Sequence, residues 1–298
     1  MNLLITGSGG RVGRALYVRL AREHRVEGLD RSPSSTVHHV GELSDAALLA
    51  RALDGVEAVL HVAALHAPHV GWASEAEFER VNVGGTATLV EAARRAGVRR
   101  IVYTSSTAVY GHAATPPGRA GWVDESLAPE PETIYHRSKL AAEALLREAA
   151  LAGGPSLRIL RMSRCFPEPA PVMAVFRLHR GVDARDVASA HALALAHAGP
   201  PHASFVVSGS TPFLRTDAEA LWNDAPAVLA ARAPALVAAF GARGWPLPAR
   251  IDRVYDAGAA ARELGWRPVH DWAEVLAQLD RGSSEVLPSL RDFTAAGD

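Results

Sequence analysis

Short apolar runs alternate along this chain with longer stretches in which apolar residues recur every three or four positions, the rhythm of strand and helix. Leu3-Leu4-Ile5 predicts a first strand, and Ala15, Leu16, Val18 and Leu20 predict a helix after it. Val26 to Leu29 reads as a second strand, residues 44–53 as helical, and Val56 to Ala64 contains a third apolar run. Phe78, Val81, Leu89, Val90 and Ala93 recur at helical spacing over 75–96, with Gly97 as the stop. Arg100 to Thr104 is the fourth strand; a loop rich in Thr, Gly, Pro and charge, 112–131, leads into a helix carrying Tyr135 and Lys139. Further strands are predicted at Leu157 to Leu160 and from Phe205, and a helix from Asp183. Alanine-rich helices follow over Asp217 to Ala242, and a last helix ends at Gly265 with Pro268 beyond it. No internal repeat occurs, and the final ten residues read as loosely ordered.

Composition narrows the class. With 298 residues the chain is one large domain, or a domain plus a smaller lobe, and 48% hydrophobic with 21% charged residues excludes disorder and a coiled coil. The 31 basic and 32 acidic residues nearly cancel, so neither nucleic acid nor an anionic membrane is an expected partner. The single cysteine, Cys165, allows no intramolecular disulfide and suits a reducing compartment. The start lacks a basic region followed by a long apolar stretch, and no run of about 18 apolar residues occurs, so a soluble cytoplasmic protein is expected.

The chemistry-bearing residues sit where strands end. Thr6-Gly7-Ser8-Gly9-Gly10-Arg11-Val12-Gly13 joins the first strand to its helix. Gly7, Gly10 and Gly13 there let backbone approach a pyrophosphate, and the helix N-terminus offers it free N–H groups. Asp30 ends the second strand, 17 positions beyond Gly13, where a carboxylate accepts from ribose hydroxyls and repels a 2′-phosphate. NAD is therefore preferred, with NADP left open by Arg11 and Arg31. Glu42, just before Leu43, either faces the adenine or is a solvated acid. Ala63-Ala64 are small enough for a cofactor to lie against the backbone, and His66 and His69 occupy the following loop, His66 toward substrate. A metal at His61, His66 and His69 is rejected because no nearby acid or cysteine completes a ligand set. Ser105 and Ser106 reach the same edge and can hydrogen-bond a substrate alcohol. Tyr135 and Lys139, four apart, share a helix face, and a neighbouring ammonium is expected to lower the phenol's pKa so that it can exchange a proton.

Together with His61-Val62-Ala63-Ala64, Asn82-Val83-Gly84-Gly85-Thr86, Ser105-Ser106-Thr107-Ala108-Val109-Tyr110-Gly111 and Tyr135-His136-Arg137-Ser138-Lys139, these motifs resemble the extended short-chain dehydrogenases, the NAD-dependent epimerase/dehydratase family. The resemblance implies an α/β fold, a doubly wound parallel sheet (Rossmann) with a smaller C-terminal lobe over the substrate. The expected division is 1–160 plus 184–209 for the NAD-binding domain and 161–183 plus 210–298 for the lobe. It also implies Tyr135 as the proton-transfer residue, Lys139 as the group that tunes it and holds the nicotinamide ribose, Ser106 as the hydroxyl that orients substrate, and Asn82 as an NAD contact. A homodimer through the helices at 75–96 and 132–151 is a further family expectation.

The chain departs from many sugar-nucleotide relatives at Arg161-Met162-Ser163-Arg164-Cys165-Phe166-Pro167, where Arg164 replaces an asparagine. Its guanidinium suits a substrate carboxylate or phosphate, the alternative being an ion pair with Glu168 or Asp186. Cys165 reads as a small buried hydrophobe. The short distance from Cys165 to Asp186 suggests a reduced nucleotide pocket, and the segment resembles uronate dehydrogenases. The expected function is NAD-dependent hydride transfer at a secondary hydroxyl or ketone of a sugar or sugar-acid-like molecule. The alternatives are a sugar epimerase that recycles bound NAD and, lower, a cofactor sensor without chemistry.

Overall fold

Leu3, Leu4 and Ile5 are all buried, so the first strand is covered on both faces, as parallel strands with helices on each side are. The structure, a computed structural model, describes residues 1–287. Its strands are β1 (Asn2–Thr6), β2 (Arg25–Asp30), β3 (His39–Val40), β4 (Ala58–His61), β5 (Arg100–Ser106), β6 (Gly121–Val123), β7 (Ser156–Met162), β8 (His202–Val207) and β9 (Arg253–Tyr255). Seven of them form one parallel sheet in the order β3-β2-β1-β4-β5-β7-β8, while β6 and β9 pair separately.

The first helices are α1 (Arg11–Leu20), α2 (Ala46–Ala52), α3 (Glu75–Phe78), α4 (Gly85–Arg95), α5 (Ile134–Leu151) and α6 (Ala170–Phe176). They are followed by α7 (Ala184–Ala196), α8 (Ala218–Asn223), α9 (Ala225–Arg232), α10 (Pro234–Ala242), α11 (Gly258–Glu263) and α12 (Trp272–Asp280). On one sheet face Leu16 and Leu20 of α1 pack with Val187 and Ala190 of α7. On the other, Leu49 of α2, Leu89 of α4 and Leu146 of α5 cover the strands. A further core joins Met173, Leu221, Leu229, Phe240, Val254 and Val275 from α6, α8, α9, α10, β9 and α12. This is the doubly wound sheet with an additional lobe.

Three expectations need correction. Residues 75–96 are not one regular helix: a π-helical segment, Glu79–Gly84, separates α3 from α4 and carries Asn82. The loop 112–131 contains β6, too short to show a period and held by its partner β9. The tail, expected with the lobe, instead sends Ala260 of α11 and Trp266 into the sheet-side core of α1 and α7, with the indole N–H donating to the Asp186 carbonyl at 3.0 Å. The final ten residues lie outside the described ones. Among the described residues no single helix is long and apolar enough to cross a membrane.

The site follows from strand order. The chain leaves β1 for β2 on one side and later returns to β4 on the other, so a crevice opens beyond the carboxyl ends of β1 and β4.

Candidate active site

Gly7 follows β1 with φ +72°, and a Cβ there would lie 2.7 Å from the Ala63 nitrogen beyond β4. A Cβ on Gly13 would lie 2.0 Å from the Gly7 carbonyl oxygen, so only glycine lets α1 sit down on the loop. The α1 cap residue, Gly10, makes no side-chain cap bond, so the first-turn N–H groups of Arg11, Val12 and Gly13 have no intrahelical acceptor. A cleft of about 540 Å³ runs over this loop, lined by Gly7, Gly10, Arg11, Val12, Gly13, Asp30, Glu42, Leu43, Val62, Ala63 and Ala64. Its size falls in the ordinary range for small-ligand sites. Asp30 is oriented there by the Gly9 N–H, which donates to Oδ2 at 3.0 Å, and by the Ser32 N–H, which donates to Oδ1 at 3.1 Å. Glu42 pairs with Arg80 at 2.6 Å, and Arg11 with Glu285 at 2.5 Å.

Farther along the cleft, Thr133 caps α5 and fixes the register that brings Tyr135 and Lys139 to the wall. The Lys139 Nζ donates to the Thr104 carbonyl at 2.7 Å and stands 4.5 Å from the Tyr103 ring centroid. Burial lowers its pKa to about 7, with Glu143 opposing the shift. Tyr135 and Ser106 line the same wall, and the Ser106 Oγ accepts from the Ala108 N–H at 3.1 Å. The expected lowering of the tyrosine pKa does not hold in this structure. Burial raises it, the nearby Ser106 hydroxyl opposes only in part, and the lysine's ammonium is turned to a backbone carbonyl.

Ser105 also lines the cleft, but its hydroxyl donates to Glu143 at 2.5 Å, which corrects the expectation of two hydroxyls facing substrate. Glu143 is bracketed by Arg161, whose Nε and Nη2 donate to its two oxygens at 3.0 and 2.7 Å, and Arg161 donates further to the Tyr110 hydroxyl at 3.1 Å. This buried fork ties α5 to β5 and β7 behind Lys139. Arg161→Met strands a buried carboxylate and is expected to cost about 3–5 kcal/mol, read as a lower urea midpoint. Adding Glu143→Leu should recover most of that loss; no recovery would count against the pair.

Asn82 is a second correction. It is buried and absent from the cleft lining, its Oδ1 accepting from the Leu65 N–H at 2.7 Å while its Nδ2 donates to the Leu65 carbonyl and the Ser138 hydroxyl, both at 2.9 Å. With the amide spent, it positions the loop after β4 and leaves no donor for a cofactor. His66 lines the cleft with its Nδ1 unpartnered, and burial lowers its pKa to about 4, so it is a neutral imidazole. Arg164 lines the cleft as well, and of the alternatives weighed for it the ion pair with Glu168 is formed. Cys165 is buried, and burial pushes its thiol pKa up. Arg180, Arg253 and Tyr255 also line the cleft. Nothing local in the sequence marks them, because β9 is brought to the site by tertiary contacts, its pairing with β6 and its bonds to His179 beside Arg180. Among the described residues no group of three His, Cys, Asp or Glu could hold a metal ion.

The family model of the NAD dependent epimerase/dehydratase family matches residues 3–170, more than half of the chain. The chain belongs to that family. Over 118 residues it is 40% identical to a 3 beta-hydroxysteroid dehydrogenase/Delta 5-->4-isomerase of Mycobacterium tuberculosis, a match covering 36% of this chain and 32% of that protein. It is 31% identical over 163 residues to an NAD-dependent glucose-6-phosphate dehydrogenase of Haloferax volcanii, covering 49% and 61%. These matches span about a third to three fifths of the relatives' lengths. A short-chain dehydrogenase/reductase superfamily protein from Agrobacterium tumefaciens, solved with bound NAD, superposes with a TM-score of 0.71 at 25% identity, covering 93% of this chain and 95% of that one. Within this family the glycine loop, Asp30 and the Tyr135–Lys139 pair of this chain occupy one continuous cleft.

Proposed function

We propose that this family member is an NAD-dependent oxidoreductase that interconverts a secondary alcohol and a ketone on a sugar or sugar-acid-like small molecule, with Tyr135 moving the hydroxyl proton. The observation that carries this reading is that Tyr135, Lys139 and Ser106 stand together at the wall of the cleft that begins at the glycine loop. The cofactor fits the residues present: a loop whose backbone packs too closely for side chains at Gly7 and Gly13 and borders the cleft, free N–H groups opening α1 and an oriented carboxylate at Asp30. When bound, NAD supplies the hydride acceptor or donor.

The chain's own residues do the rest. The loop and α1 receive the pyrophosphate, and Asp30 accepts from ribose hydroxyls. Ser106 orients the reacting oxygen, and Tyr135 takes or gives its proton. Lys139 holds the wall behind it. His66 offers a neutral imidazole to a polyol. The guanidiniums of Arg164, Arg180 and Arg253 line the same cleft, which suits a polar substrate better than a steroid.

The deciding experiment is absorbance of reduced nicotinamide while protein with added NAD is screened against free sugars, uronic acids, sugar phosphates and sugar nucleotides. Steady NADH from one free compound supports the reading. Conversion of a sugar nucleotide to its epimer without NADH would overturn it in favour of an epimerase. The cofactor preference has its own test. Asp30→Ala should weaken NAD by about tenfold, the loss of a charge-assisted hydrogen bond, and shrink the NAD over NADP preference by a similar factor. Fluorescence titration with both cofactors checks this, and an unchanged ratio would remove Asp30 from the selectivity account.

A further inference from the structure

Arg180 and Arg253 share one carboxylate. The Arg180 Nη1 stands 3.3 Å from Asp252 Oδ1, and the Arg253 Nη2 donates to Asp252 Oδ2 at 2.7 Å. Both guanidiniums line the cleft, whereas Asp252 does not. The same holds for Arg164, whose partner Glu168 stands outside the cleft lining. Three cations against two carboxylates leave this wall one positive charge in excess.

The pair is also held in place. Arg253 begins β9, and its carbonyl accepts from His179 Nδ1 at 2.8 Å. The Arg180 guanidinium lies 4.5 Å from the Phe176 ring centroid, which fixes its plane. The Arg253 Nε is buried with no hydrogen-bond partner, on a side chain that lines the cleft. A salt bridge built only for stability would pair each cation, and a buried donor left unmade costs stability. Two fixed guanidiniums with spare N–H groups match the planar oxygens of an anion.

We infer that Arg180 and Arg253 form an anion subsite that grips a carboxylate or phosphate on the substrate, away from the carbon whose hydroxyl faces Tyr135. This deepens the oxidoreductase reading and rests on it for the identity of the cleft. It shifts the anion anchor from Arg164, whose Nε is already engaged by Glu168, to a pair contributed by β9 and the turn after α6. The substrate class is thereby a sugar acid or a sugar phosphate, a polyol with one terminal anionic group.

The test is calorimetric titration of the NAD-saturated protein with D-glucuronate, D-glucose 6-phosphate and D-glucose. One of the two anions should bind at least about tenfold more tightly than glucose, and which one does separates carboxylate from phosphate recognition. Arg253→Gln and Arg180→Gln should each reduce the ratio of anion to glucose affinity by about 10- to 100-fold, the scale of a charge-assisted pair. Arg253→Lys, which keeps charge but loses the fork, should fall between. Should Arg253→Gln fail to fold, Arg180→Gln, outside the β-strands, decides alone. Anions binding no more tightly than glucose, or an affinity ratio untouched by either glutamine variant, would overturn the subsite. Anion binding that is lost in the variants but yields no NADH in the parent protein would keep the subsite and sink the oxidoreductase reading. NADH from neutral polyols alone, at rates indifferent to both variants, would do the reverse.

Discussion

Tyr135→Phe is expected to lower turnover by about 10²- to 10⁴-fold, the usual contribution of a positioned proton-transfer group, while the dissociation constant for NAD stays within about threefold. The substitution isolates the hydroxyl. The ring packs among Leu65, Phe78 and Ile134, and phenylalanine keeps those contacts. What disappears is the hydroxyl beside Ser106 that exchanges the proton with the reacting oxygen. Because burial raises the phenol's pKa, the protonated form dominates at neutral pH, the form needed to donate to a developing alkoxide. Ketone reduction should therefore be flat through neutrality. Alcohol oxidation, which needs the deprotonated acceptor, should climb with pH by up to tenfold per unit until the phenol titrates. NADH absorbance in both directions, from pH 6 to 10, reads this out. Near-parental turnover in the phenylalanine variant, or oxidation insensitive to pH, would remove Tyr135 from the proton's path.

The glycine loop and the Tyr135–Lys139 face were legible because their chemistry depends on neighbours in sequence. Gly7 and Gly13 answer to a single turn, and Tyr135 and Lys139 to one turn of α5. The sign of the tyrosine's pKa shift was not legible, since burial is a property of the assembled core. The bonds of Asn82 are hidden for the same reason: its partners Leu65 and Ser138 lie 17 and 56 positions away. Ser105 looks the same as Ser106 in the sequence, yet strand alternation turns its hydroxyl toward Glu143. In the Arg180–Asp252–Arg253 cluster, Arg180 and Asp252 lie 72 positions apart and meet through the pairing of β6 with β9 and the bonds of His179 to β9. Its members carry no motif, so only tertiary structure could bring them to notice.

A second large effect concerns acid. Lowering the pH from 7 to 5 is expected to destabilise the fold by about 6 kcal/mol, from three histidines held neutral inside it. The ring nitrogens of His61 face the hydroxyls of Thr6 and Thr86 at 2.8 and 2.9 Å, and burial depresses its pKa to about 3. His179 Nδ1 donates to the Arg253 carbonyl, and burial again gives a value of about 3. His191 bridges the Val187 carbonyl and the Thr104 hydroxyl, with a value of about 4 for the same cause. In each case the folded pKa lies below the unfolded value of 6.5. The unfolded chain therefore binds the proton first; the stabilisation is complete above about pH 6.5 and is lost as the pH falls toward 3–4. At pH 5 each histidine has lost about 1.5 pH units of linkage, or about 2 kcal/mol. The buried Asp183, lowered to about 2 by charge and hydrogen bonds from Arg185 and Arg177 despite its burial, adds no loss until the pH nears its unfolded value of 3.8. Lys139 is charged in both states at pH 5 and, with its folded value of about 7 below 10.5, adds stability only as the pH rises above 7. A loss of about 6 kcal/mol rivals the whole stability of a typical domain and should lower the thermal midpoint by about 12 °C. Circular dichroism melts at pH 5, 6 and 7 measure it. His191→Gln, which keeps a donor and an acceptor but cannot ionise, should remove about a third of the slope. A midpoint that stays level between pH 5 and 7 would mean that these imidazoles are not held neutral by burial, and a slope unaltered by the glutamine would shift its cause to other groups.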